Sequence, residues 1–204
     1  MNVSGNCPNV LYRVFKEYKY AKEFTQGIIR FSTFEYYSST DDPIRQDNTE
    51  GESCIKHNGL NYYHCFSDYN KFYILSFCKT LETAQENKKF GNFIVKITNP
   101  KKLAKSITNY LEKQSFKCFG GIEGNQVSYN YENAILQKPN SQELSKLSCF
   151  QKPNSYKDEN EFRFIITTEN KYITLETKKD AKKMKHLYIT LDKNDEVLNN
   201  MILI

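Results

Sequence analysis

The stretch Asp158-Glu-Asn-Glu-Phe-Arg-Phe-Ile-Ile166 alternates as a β-strand does. Successive strand side chains project to opposite faces, so Phe162, Phe164 and Ile166 share one face while Glu159, Glu161 and Arg163 share the other. The first face belongs against a core. The second places two carboxylates beside a cation, which suits a cleft where one Glu stays ionised and accepts a hydrogen bond or supports a developing positive charge. The plainer alternative is a solvated outer face with an in-line salt bridge, an arrangement that contributes little stability.

Outward from this strand, the N-terminal half reads as strand, helix, strand. Val10-Leu-Tyr-Arg-Val-Phe15 is rich in β-branched and aromatic residues and follows Pro8-Asn9. Tyr20, Ala21 and Phe24 give the segment from Tyr18 to Gln26 a helical face, and Gly27 stands where a glycine ends a helix. Ile28-Ile-Arg-Phe31 resumes a strand. Thr33 to Gly59 is polar and turn-rich and reads as a long surface loop, with Asn58-Gly59 as a hairpin signal. Lys71 to Lys79 and Phe90 to Ile97 are strands, and Asn99-Pro100 opens a helix with Asn as cap and Pro in its first turn.

Further on, Phe116 to Phe119 and Val127 to Tyr131 flank Gly120, Gly121 and Gly124 as an expected hairpin. A short helix is expected from Ser141 to Cys149, a strand from Tyr172 to Glu176, and closing strands at Leu187 to Leu191 and Val197 to Ile204. Many short strands with a few helices between them predict an α+β fold, a mixed and mostly antiparallel sheet around a cleft with two to four helices. Residues 1–9 read as a polar leader and 10–204 as a single domain.

The chain has 204 residues, of which 39% are hydrophobic and 14% aromatic, with no Trp. That composition excludes a disordered chain. The longest apolar run, Phe72 to Cys78, is far short of the ~20 residues that span a membrane, and no signal peptide is legible, so a cytoplasmic protein is expected. The six cysteines lie at irregular spacings and are expected to be reduced. A net charge of +5 permits an anionic partner without naming one.

Several groups suit a dinucleotide. Tyr12 and Arg13 on the first strand, Ser32 and Thr33 at the end of the next, and then Tyr36 and Tyr37 supply a forked cation for a pyrophosphate, hydroxyls for ribose or phosphate, and rings to stack on nicotinamide. A strand Tyr is more often core, however, and an Arg at a strand end more often surface. The order of these parts, closing on Glu159-x-Glu161, resembles the ADP-ribosyltransferase superfamily, in particular small bacterial toxin and phage-defence members. It also resembles a broad group of uncharacterised bacterial proteins. Those share Tyr12-Arg13, Gly27 with Arg30-Phe31, Arg45-x-Asp47-x-x-Glu50-Gly51, Val127-x-Tyr129, a Lys-Pro pair and Glu159-x-Glu161-x-Arg163.

The resemblance implies an enzyme that splits NAD and transfers ADP-ribose to a macromolecule, nucleic acid being the expected acceptor, in a setting where a partner neutralises the toxin. It assigns Glu161 to the glutamate that hydrogen-bonds the nicotinamide ribose and Glu159 to acceptor activation. Arg13, with Tyr12, takes the NAD contact of the first strand, Ser32 and Thr33 brace the site, and Tyr36 or Tyr37 is the stacking ring. Arg163 completes the NAD-binding set. Phe34 follows Ser32-Thr33 where the Arg/Ser-Thr-Ser/Glu subclass carries Ser, and Arg13 stands where the histidine subclass carries His.

Four other features carry expectations. Arg45, Asp47 and Glu50 line the site if their loop reaches it, and are otherwise a solvated acidic loop. Cys54, His57, His64 and Cys65 offer metal-ligand types at a spacing that fits no zinc module well, and no metal is expected. Lys178, Lys179, Lys182, Lys183 and Lys185 are a solvated face or a surface for nucleic-acid phosphates. The tyrosine-rich surface favours a homodimer. The rival functions are a binding module of the same cleft that does not turn over its ligand, and a metal-dependent nuclease using Asp47, Glu50, Glu159 and Glu161.

Overall fold

A computed structural model describes residues 2–3, 7–39, 51–57, 60–65, 72–114, 118–130, 146–168 and 186–204. Its strands are β1 (Asn2–Val3), β2 (Leu11–Phe15), β3 (Ile28–Thr33), β4 (Glu52–His57), β5 (Leu60–Cys65), β6 (Phe72–Cys78), β7 (Phe93–Ile97), β8 (Cys118–Gln126), β9 (Ser128–Tyr129), β10 (Gln151–Lys152), β11 (Glu161–Thr168), β12 (His186–Thr190) and β13 (Met201–Leu203). Its α-helices are α1 (Tyr18–Thr25), α2 (Phe34–Ser39), α3 (Leu81–Glu86) and α4 (Pro100–Lys113). The fold is α+β with a mixed, mostly antiparallel sheet.

The main sheet runs β1-β8-β11-β6-β2-β7-β13, with β3 and β12 attached at β6. β11 lies at its centre, antiparallel to both β6 and β8. Phe162, Phe164 and Ile166 enter the principal core with Phe77, Leu75 and Tyr73 of β6. Phe164 meets Phe77 edge-on at 5.2 Å and Phe162 at 5.9 Å, a geometry that adds about 0.5 to 1.5 kcal/mol per pair beyond burial. α4 covers this core with Leu103, Ala104, Ile107 and Leu111, and its first turn is capped by Asn99, whose side chain accepts from the Lys102 N–H at 3.0 Å. α1 buries Ala21 and Phe24 and stops at Gly27, whose φ of +87° suits glycine.

Four expectations are corrected. The segment read as a surface loop after Thr33 contains α2 and β4, and β4 pairs with β5 from Glu52↔Cys65 to His57↔Leu60. The expected glycine hairpin is instead one strand, β8. Gly124 lies there because a Cβ would sit 2.9 Å from the Phe164 ring, so glycine marks a close approach of neighbouring strands rather than a turn. The C-terminal strand begins only at Met201, after a 3₁₀ segment over Glu196–Asn200. The leader also contributes to the sheet: Asn2–Val3 pair in parallel with β8. The expected strand at Tyr172 to Glu176 lies outside the described residues, and of the helix expected from Ser141 only 146–149 is described, as a helical turn.

One edge of β6 is shared by two partners. β2 meets it at Tyr12↔Cys78 and β3 meets it at Ser32↔Ile74 and Thr33↔Tyr73. Between these pairings, Leu75, Ser76 and Phe77 have no strand on that side among the described residues, and the sheet forks. The carbonyl of Ser76, which would otherwise face a neighbouring strand, accepts from Arg13 Nη1 at 2.6 Å, so an arginine supplies the hydrogen bond a strand would have made.

Candidate functional site

The fork opens a cleft of about 280 Å³ bounded by β2, α1, β3, β6 and the start of β11. Arg13 enters it from β2, its guanidinium 5.4 Å from the ring of Phe15, 5.9 Å from Phe24 and 6.0 Å from Phe77. A cation over aromatic faces gains further attraction when shielded from water.

The floor is a network of buried charges. Arg163 is 2% exposed and Glu161 9% exposed, so the charged face of β11 is internal and the solvated-face alternative fails. Arg163 donates to Glu161 Oε2 from Nε at 3.1 Å and Nη2 at 2.9 Å, and its Nη1 donates to the Cys149 carbonyl at 2.9 Å. Lys152 Nζ lies 3.3 Å from the same Oε2 and 2.8 Å from Glu159 Oε2. Glu159 also receives Lys89 Nζ at 2.9 Å. Burial opposes ionisation of Glu161, but Arg163, then Lys152, and a hydrogen bond from Ser76 outweigh it and hold the carboxyl down at about 2. Glu161 is therefore a carboxylate at neutral pH.

Local backbone geometry assembles this floor. β11 runs from Glu161 to Thr168, so Glu159 lies before the strand and does not share its charged face as the alternation implied. Glu159 instead ends a 3₁₀ segment, and Asn160 turns the chain with φ +44° and ψ +52°. Asn is among the few residues that adopt this conformation readily. β10 lies parallel to β9 with Lys152 opposite Tyr129, and the Tyr129 hydroxyl accepts from the Glu161 N–H at 2.8 Å. Burial pushes the Tyr129 phenol above its ordinary range, so it stays protonated. Cys78, opposite Glu161 in the β6–β11 register, is raised by burial to about 11 and is an inert thiol rather than a nucleophile.

The walls are aromatic and cationic. Tyr12, Tyr20, Tyr36, Tyr37, Phe90, Tyr156 and Tyr188 line the cleft along with the three phenylalanines near Arg13. Among the described residues the lining cations are Arg13, Lys16, Lys19, Arg30, Lys152 and Arg163, against the carboxylates Glu23, Glu159 and Glu161. This balance favours an anionic ligand.

Of the residues singled out in the sequence, Tyr12, Arg13, Tyr36, Tyr37, Glu159, Glu161 and Arg163 all line the cleft. Ser32 and Thr33 do not. Both are buried in the β3–β6 pairing. Ser32 Oγ lies 3.0 Å from His186 Nδ1, and Thr33 Oγ1 accepts from the Tyr36 N–H at 3.3 Å, so they brace the elements that carry the aromatic rim. The β4–β5 register puts Cys54 and Cys65 on one face of that hairpin and His57 and His64 on the other, so the four do not share a face. Among the described residues no cluster of His, Cys, Asp and Glu is arranged to hold a metal. Arg45, Asp47, Glu50 and the lysines from Lys178 to Lys185 lie outside the described residues.

Lys152, Ser76, Tyr129, Tyr156 and Tyr188 are site residues that the sequence did not single out. Two of them left a trace there, Tyr129 in Val127-x-Tyr129 and Lys152 because Lys152-Pro153 is one of the two Lys-Pro pairs in the chain. No helix among the described residues is long and apolar enough to cross a membrane. No family model matches the chain, and neither the search of curated proteins nor that of solved structures returns a match.

Proposed function

We propose that the cleft binds NAD and that the protein is an ADP-ribosyltransferase-like enzyme that moves ADP-ribose to a macromolecular acceptor. The observation that carries this reading is Glu161, an ionised carboxylate on the floor of a cation-rich, aromatic-walled cleft. The residues present fit the ligand. Its two phosphates call for the excess of cations, and its rings call for flat aromatic walls. Ligand pockets commonly enclose about 300 to 1,000 Å³, so a cleft of about 280 Å³ takes a nucleoside-sized portion while the remainder follows the rim.

NAD supplies the bond between nicotinamide and the ribose C1′, whose cleavage leaves positive charge on the sugar. Glu161 accepts a ribose hydroxyl and stabilises that charge from a site shielded from water, where electrostatic effects are strong. Arg163 and Lys152 both approach Oε2, and with the hydrogen bond from Ser76 they fix the orientation of the carboxylate. Arg13 and Arg30 attract the diphosphate. Glu159, engaged by Lys89 and Lys152, is the reserve base for the acceptor's proton.

Nicotinamide release from labelled NAD tests this, with wild-type protein and Glu161→Gln compared in the presence of cell extract, RNA or DNA. The expected loss in the variant is at least about 100-fold, with an unchanged circular dichroism spectrum. No release from folded wild-type protein under any of these conditions, or undiminished release from Glu161→Gln, overturns the proposal. One observation favours a second reading: two cations already face the Glu161 charge, as in a structural ion pair. A binding module of that kind holds NAD without releasing nicotinamide, and Glu161→Gln then alters affinity alone.

A further inference from the structure

β12 lies antiparallel to β3 at the mouth of the cleft, with Tyr188 directly opposite Arg30. A ladder of rings follows this pair. Tyr36 of α2 stands 5.3 Å from Tyr37 and 4.4 Å from His186, and His186 stands 6.3 Å from Tyr188, each contact edge-on. The Arg30 guanidinium lies 5.9 Å from the Tyr36 ring. Tyr188 is 52% exposed, and Tyr20, across the mouth on α1, is 44% exposed. Both line the cleft. Rings held this far out contribute little to the core, and a group of them around a ligand cleft marks an interaction surface.

The charge beside the ladder identifies the partner. Lys16, Lys19 and Arg30 border the mouth, and Glu23, the carboxylate beside them among the described lining residues, pairs with Lys19 at 3.8 Å. We propose that Tyr188, Tyr36 and Tyr20 form a platform on which the bases of a single-stranded nucleic acid stack, with its phosphates along Lys16, Lys19 and Arg30. Every base presents a π-face and every link a negative charge, so rings interleaved with cations hold a single strand without reading its sequence. A duplex hides those faces. The inference rests on the preceding proposal only in making the strand the acceptor, because binding itself requires no chemistry.

Fluorescence anisotropy of labelled single-stranded DNA and RNA oligomers of about 10 nucleotides, titrated with the full chain, tests it. Tyr188→Ala and Tyr20→Ala remove exposed rings and leave the fold intact, and each weakens binding about tenfold. Tyr188→Phe retains wild-type affinity, because stacking needs the ring and not the hydroxyl. Arg30→Gln lowers the slope of log affinity against log salt by about 0.7. A duplex of the same sequence binds more weakly than the single strand. The platform is refuted by folded wild-type protein that binds no oligomer, by both alanine variants binding as wild type does, or by duplex binding as tight as single-strand binding. Oligomer binding without nicotinamide release sinks the enzyme reading and spares the platform, while release without oligomer binding does the reverse. ADP-ribose label found on protein alone removes the strand as acceptor.

Discussion

Lys152→Met removes the ammonium that both buried carboxylates face, Glu159 at 2.8 Å and Glu161 at 3.3 Å. Methionine preserves much of the stem, so the change is chiefly electrostatic. Removing one partner of a buried ion pair costs about 3 to 5 kcal/mol, because a charge is left uncompensated. Here each carboxylate keeps a second cation, Arg163 at 2.9 Å from Glu161 and Lys89 at 2.9 Å from Glu159. The Lys89 side chain is 47% exposed and compensates only in part, so the expected cost is about 3 kcal/mol, the lower end of the range. Urea unfolding followed by far-ultraviolet circular dichroism reads this directly. With a slope of about 2 to 3 kcal/mol per molar urea, the midpoint falls by about 1 to 1.5 M at unchanged slope. Adding Glu159→Gln to Lys152→Met removes one stranded charge, so the double-mutant cycle shows a coupling of about 1 to 3 kcal/mol. A midpoint shift below about 0.3 M, or additivity within about 0.5 kcal/mol, refutes the shared-lysine reasoning.

Two further predictions concern β11 and its neighbour β8. Glu161 is held below its ordinary value of 4.5, at about 2, so its contribution to stability is complete above about pH 4.5 and is lost as pH falls toward 2. Melting temperatures measured through that window fall less steeply for Glu161→Gln, while Lys152→Met moves the decline to higher pH; an identical slope in Glu161→Gln would exclude this carboxylate as the source. Gly124→Ala drives a Cβ to 2.9 Å and 3.0 Å from Phe164 ring atoms and 3.2 Å from Phe162. The strain costs about 1 to 3 kcal/mol, a fall in melting temperature of about 2 to 12 °C, and Phe164→Leu in the same background recovers part of it. An unchanged melting temperature would contradict the Phe164↔Gly124 register.

Signals that act locally were legible. Asn99-Pro100 and Gly27 mark helix ends by satisfying or reversing the backbone within a turn, and both lie where the sequence places them. The alternation of Phe162, Phe164 and Ile166 likewise identified a core strand. What the chain did not disclose depends on distant partners. The charge on β11 is compensated by Lys152 and the Cys149 carbonyl from outside the strand, and the Lys-Pro pair that singles out one lysine among 29 basic residues says nothing of an ion-pair role. Gly124 misled for a related reason, since a glycine that makes room for a ring on the next strand looks like one that makes a turn. Tyr12, Arg13, Tyr36 and Tyr37 were legible as candidate cleft residues, whereas Ser32 and Thr33 proved to support the rim from beneath.

The forked edge of β6 also apportions stability. On one side of the cleft, β11 is laddered to β6 from Glu161↔Cys78 to Thr167↔Phe72 and to β8 along nearly its whole length. On the other, β3 is joined to β6 only at Ser32↔Ile74 and Thr33↔Tyr73, and β12 is attached through β3. The β3–β12 pair is therefore held mainly by Ile29, Phe31, Leu187 and Ile189 in the principal core rather than by a long ladder, so apolar burial guards that side of the cleft while backbone hydrogen bonds guard the charged floor. Amide hydrogens of Ser32 and Thr33 are expected to exchange with solvent ahead of those in the doubly laddered β11.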